Sequence, residues 1–105
     1  MPSGVFAKVN VSSAATWTTL VAPAPSGTFK VTTVNLCNRT SSDIKVRIAL
    51  AANTTVTDAD YIEYDTVIVA NGVLERTGIV VDSTFGIQVY AAAAGITATA
   101  YGIDS

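Results

Sequence analysis

Four carboxylates crowd one short segment of the chain: Asp58, Asp60, Glu63 and Asp65. Such side chains can hold calcium or share an acid–base task. Their spacing lacks the twelve-position calcium loop. On a strand, Glu63 and Asp65 would share one face with Tyr61, so the cluster reads as solvated or as part of an interface. The other reactive candidate is the single cysteine, Cys37, in a chain with no histidine. The commonest acid–base group near neutral pH is therefore missing. A serine triad built on histidine is excluded, and Cys37 has no imidazole to activate it. Within a β run it reads as a small, half-buried apolar group. One cysteine without histidine does not support zinc or iron–sulfur ligation. No glycine-rich phosphate loop is present. The sequence predicts no enzyme, no metal and no cofactor.

Binding is the remaining class of chemistry. Lys8, Lys30, Arg39, Lys45, Arg47 and Arg76 are scattered and make no basic stripe, so nucleic acid is not an expected partner. Apolar runs are too short to span a bilayer as a helix, and no signal-peptide pattern opens the chain. Aromatic side chains are enriched at protein interfaces. Phe6, Trp17, Tyr61, Tyr64, Tyr90 and Tyr101 are the interface candidates.

The elements that must position these residues follow a period of two. Ile44-Lys45-Val46-Arg47-Ile48-Ala49-Leu50 alternates strictly, which directs Ile44, Val46, Ile48 and Leu50 to a core. The same reading predicts eight short strands: 6–11, 16–21, 29–38, 43–51, 61–69, 73–80, 85–90 and 96–103. The alternation in 29–38 changes phase near Thr32-Thr33, which predicts a bend or bulge. Pro23 to Gly27 is a turn. Asn38 to Asp43 reads as a polar hairpin connection, and Asn71-Gly72 as a tight turn. Glu63 and Arg76 could pair across it. Asn53 to Asp60 is the longest connection, with room for one helical turn at Asp58-Ala59-Asp60. Asn10, Asn38 and Asn53 each begin a glycosylation pattern, read as accidental in a threonine-rich chain without a secretion signal.

Eight evenly spaced strands predict an all-β, single-domain antiparallel β-sandwich, jelly-roll-like in form. An immunoglobulin domain is disfavoured because no cysteine pair flanks Trp17. The chain divides into an amino-terminal arm with the first strands (1–28) and the remainder of the same sandwich (29–105). The 105 residues are 50% hydrophobic and 13% charged, with a net charge of -2. An ordinary solvated surface carries about twice that share of charge. Covered faces and sheet edges in need of protection both point to self-association.

Three stretches are distinctive together: Thr33-Val34-Asn35-Leu36-Cys37-Asn38-Arg39, Asp60-Tyr61-Ile62-Glu63-Tyr64-Asp65, and Ala98-Thr99-Ala100-Tyr101-Gly102-Ile103. With Asn71 to Gly78 they resemble a small accessory virion protein of tailed bacteriophages. The resemblance covers about Phe29 to Asp104. It implies a structural protein at the surface of a phage particle. One role is a capsid decoration or cement protein, a homotrimer bound to major capsid protein. The other is a tail, collar, baseplate or fibre-associated component, and a carbohydrate-binding role ranks below both. In the decoration role the amino-terminal arm and Trp17 would be the anchors.

Overall fold

The computed structural model describes residues 3–11 and 13–104. All eight expected strands are present: β1 (Ser3–Val11), β2 (Thr16–Val21), β3 (Lys30–Asn38), β4 (Ile44–Ala51), β5 (Tyr61–Ile68), β6 (Val73–Val81), β7 (Gly86–Ala91) and β8 (Ile96–Asp104). One 3-10 turn, Asp58–Asp60, lies in the longest connection. The chain pairs like a ribbon folded back on itself: β1 with β8, β2 with β7, β3 with β6 and β4 with β5. Pairing of β3 with β8 and of β4 with β7 completes two antiparallel sheets. Their orders are β1-β8-β3-β6 (first sheet) and β2-β7-β4-β5 (second sheet). This is a jelly-roll sandwich.

The core lies between the sheets because each strand alternates one dry and one wet face. Val34 and Leu36 of β3, Val46 and Ile48 of β4, Ile87 and Val89 of β7, and Ala98 and Ala100 of β8 are all buried. Ile44 is buried as well, while Leu50 is half-buried against the same cluster. Each fully buried valine, leucine or isoleucine side chain contributes about 1.5–3 kcal/mol. Gly86 opens β7 where another segment passes close: a Cβ there would overlap the Val21 carbonyl oxygen.

Several expectations change. The connection Asn38 to Asp43 is not a hairpin, because it crosses from the first sheet to the second. Asn71-Gly72 is a tight turn, with the Gly72 amide donating to the Val69 carbonyl at 2.8 Å and Asn71 at φ 60°. It too crosses between sheets. The phase of β3 does not break at Thr32-Thr33: Thr32, Val34, Leu36 and Asn38 all face inward and are buried, while Val31 is exposed. The irregularity lies opposite, in β6, where the register jumps between Thr32 and Val34 and Gly78 takes φ 73°. Over their described part the first 28 residues carry the first two strands, β1 and β2. They supply an edge strand to each sheet. Asn38 is buried, so its glycosylation pattern is inaccessible.

The bulges have one location in common. Every register shift falls in a pairing that involves an edge strand: β1 between Val5 and Ala7, β2 between Thr19 and Val21, β6 opposite Thr33, and β5 twice, opposite Arg47 and again between Glu63 and Tyr61. In each case the extra residue belongs to the edge strand. The central pairings β3–β8 and β4–β7 run without interruption. Bulged edges are poor templates for a further strand.

Candidate functional site

Cross-strand register assembles four of the six interface candidates on the outer face of the second sheet. Trp17 of β2 lies opposite Tyr90 of β7, which lies opposite Arg47 of β4. Strand β5 supplies Tyr61 and Tyr64. The Trp17 and Tyr90 rings stand 5.3 Å apart, Trp17 and Tyr61 6.0 Å, and Tyr61 and Tyr64 4.7 Å in an edge-to-face pair. Arg47 sits at the centre, its guanidinium carbon 4.4 Å from the Tyr64 ring centroid and 4.7 Å from that of Tyr90. Tyr64 is 58% exposed. Trp17, Tyr61, Tyr90 and Arg47 are half-buried against one another.

A bulge completes the cluster. Asp65 takes φ 51° and accepts a 2.7 Å bond from Arg47 Nε. Aspartate tolerates this left-handed backbone better than most residues. The hydrogen bond from Arg47 holds the Asp65 carboxyl below its usual range, and the same bond raises the Arg47 pKa further. The ion pair orients the guanidinium over the electron-rich faces of the Tyr64 and Tyr90 rings. Arg47 was legible only as one of two basic groups on the wet face of its strand. Its central place depends on which strands flank β4, which periodicity does not report.

The same bulge separates the acidic cluster. Glu63 and Asp65 do not share a face. Glu63 lies opposite the buried Ile48 and turns inward, whereas Asp65 turns out to Arg47. Glu63 accepts bonds from Arg76 at 2.6 Å and Thr66 at 2.7 Å. The expected Glu63–Arg76 pair therefore exists, but it bridges the β5 and β6 edges of the two sheets instead of crossing a hairpin. Asp60 accepts from the Thr57 amide at 2.9 Å. Among the described residues no three His, Cys, Asp or Glu side chains converge as a metal site would require. A shallow cleft of about 380 Å³ opens beside the Glu63–Arg76 bridge, lined by Leu50 and Ile62 on one side and Gly78 and Val80 on the other. Its ionic side chain, Arg76, is turned to Glu63.

Phe6 and Tyr101 are not part of the aromatic cluster. Phe6 is the extra residue of the β1 bulge and packs against the core edge, with Lys30 Nζ 5.3 Å from its ring. Tyr101 is on the outer face of the first sheet and donates to Glu75 at 3.0 Å. Cys37 is half-buried on that face, opposite Thr97. No helix of the described residues is long and apolar enough to cross a membrane. No family model matches the chain, and no curated protein matches it.

Proposed function

We propose that this protein is a non-catalytic structural component of a tailed-phage particle, a capsid decoration protein docked on major capsid protein through the outer face of its second sheet. The observation that carries the docking is the cluster of Trp17, Tyr61, Tyr64 and Tyr90 around Arg47. Tryptophan, tyrosine and arginine are the residues that most often dominate protein interfaces. Here they are preorganised by their own contacts, so little side-chain freedom is lost on docking. Bulges on all four edge strands leave the faces as the surfaces for association. The phage particle itself is what the sequence resemblance implies. A tail or collar position uses the same face and differs in copy number.

A sugar platform is the less favoured reading of the cluster. Neighbouring rings are tilted by 41°, 48° and 83°, so they present no common plane. Arg47 already lies over three of them.

The test is a density map of purified particles with a count of this chain, together with binding of Trp17→Ala and Arg47→Ala to particles that lack it. Decoration predicts hundreds of copies with the second sheet toward the capsid, and loss of binding in both variants. Tens of copies at the tail would move the protein there. Absence from purified particles would overturn the reading.

A further inference from the structure

We infer that the outer face of the first sheet pairs with the same face of a second copy, about a two-fold axis parallel to the strands and midway between β8 and β3. The register gives the layout of this face. One row holds Ile103, Val31 and Val80, and the next holds Val5, Tyr101 and Thr33. Val5 is 60% exposed, Ile103 52%, Val80 50%, Val31 38% and Tyr101 36%. Beyond them Lys8, Thr99, Asn35 and Glu75 form a polar third row, and Asn10, Thr97, Cys37 and Val73 a mixed fourth, in which Val73 is 58% exposed. One half of the face is apolar. Across the other half, a lysine at the β1 edge stands in register with a glutamate at the β6 edge.

That layout selects both occupant and axis. A two-fold axis parallel to the strands exchanges β1 with the partner's β6 and β8 with the partner's β3, and it keeps each row in line. Ile103 then meets Val31 of the partner subunit, and Tyr101 meets Thr33 of the partner subunit. Lys8 meets Glu75 of the partner subunit, twice over. Among the described residues neither Lys8 nor Glu75 makes an ion pair within its own chain. An axis across the strands would lay the second row on the polar third, with Val5 against Lys8 of the partner subunit. With strands about 4.8 Å apart and rising about 3.3 Å per residue, four strands make a face on the order of 600 Å² in plan. A stable interface needs about 800 Å² of accessible surface per partner, and a pleated face carrying side chains exposes more than its plan area. The face is isologous, as a two-fold requires. The sandwich then stacks as four layers, with the aromatic face of each second sheet turned outward. The proposal puts a two-fold in place of the three-fold that the resemblance implies, and it does not depend on where in a particle the protein sits.

The decisive experiment is a charge-reversal cycle read by sedimentation velocity on the full chain. The wild type sediments as a dimer. Lys8→Glu and Glu75→Lys each weaken it by about tenfold, and the double variant recovers the wild-type dimer. Ile103→Lys dissociates it while the circular dichroism spectrum stays unchanged. Cys37 provides a second readout: the two copies of Cys37 flank the axis, so a short bismaleimide joins them and leaves Cys37→Ser uncrosslinked. A wild-type monomer at about 100 µM, a hundredfold above a micromolar Kd, overturns the proposal. A double variant no stronger than either single overturns the axis. Neither result bears on binding of the aromatic face to particles, which is read separately.

Discussion

Thr32 faces the core of the sandwich, fully buried, and its hydroxyl has no hydrogen-bond partner among the described residues. A buried donor left unpaired carries its desolvation cost without return, whereas an apolar group of the same shape does not. Thr32→Val should therefore raise the unfolding free energy by about 1 kcal/mol. Urea denaturation would register it as a higher midpoint at unchanged slope. A lower midpoint would mean that the hydroxyl is satisfied. The sequence misdirected the reading of this site. Val31 is apolar and Thr32 polar, so alternation assigns them to the wrong faces. The continuous β3–β8 ladder overrides that local preference. Glu63 is a parallel case: an ionic residue on an inward register position, tolerable because it lies at the open edge beside Arg76.

At the scale of elements, Asn38 ties two connections together. Its side-chain amide donates toward the carbonyls of Ser42, Ile68 and Val69 at 2.8, 3.0 and 3.2 Å, and its carbonyl accepts from the Thr40 amide at 2.9 Å. The β3–β4 crossing is thereby bonded to the end of β5, just before the Asn71-Gly72 turn. Asn38→Ala removes all of these partners at once and leaves several buried groups unpaired. The expected loss is about 3 kcal/mol, read by thermal or chemical unfolding. Strand positions were legible because Thr, Val and Ile at period two mark a half-buried strand wherever it pairs. Bulge positions were not. Phe6, Leu20, Gly78 and the Tyr64–Asp65 pair stand out only once each edge strand is set against its neighbour.

The whole molecule responds to acid through carboxylates held ionised in the fold. Arg47 lowers the pKa of Asp65, and the backbone amides of Phe85 and Thr84 lower that of Asp82. A carboxyl whose folded pKa lies below its unfolded value of about 3.9 stabilises fully above that value. The contribution is lost as pH falls through the folded pKa. The unfolding midpoint should thus hold from pH 7 to about 5 and drop below about 4. In Asp82→Asn the acid-induced drop should be smaller than in the wild type, as scanning calorimetry across pH would show. An unaltered drop would assign acid sensitivity elsewhere.

Composition and alternation determined by themselves that the chain is all-β, that it has about eight strands, and that histidine-based chemistry is absent. These are local properties: a side chain's facing follows from its neighbours two residues away. Tertiary structure decided what meets what. Tyr90 and Arg47 are far apart in sequence, and only the β4–β7 pairing brings them side by side. Strand pairing is set by the summed burial of two sheets, to which every strand contributes, and no segment contains that information alone. The acidic segment shows the difference most plainly. Its four carboxylates are neighbours in sequence, yet one bulge turns Asp65 out to the aromatic face and leaves Glu63 turned in toward Arg76, bridging the sandwich's open edge.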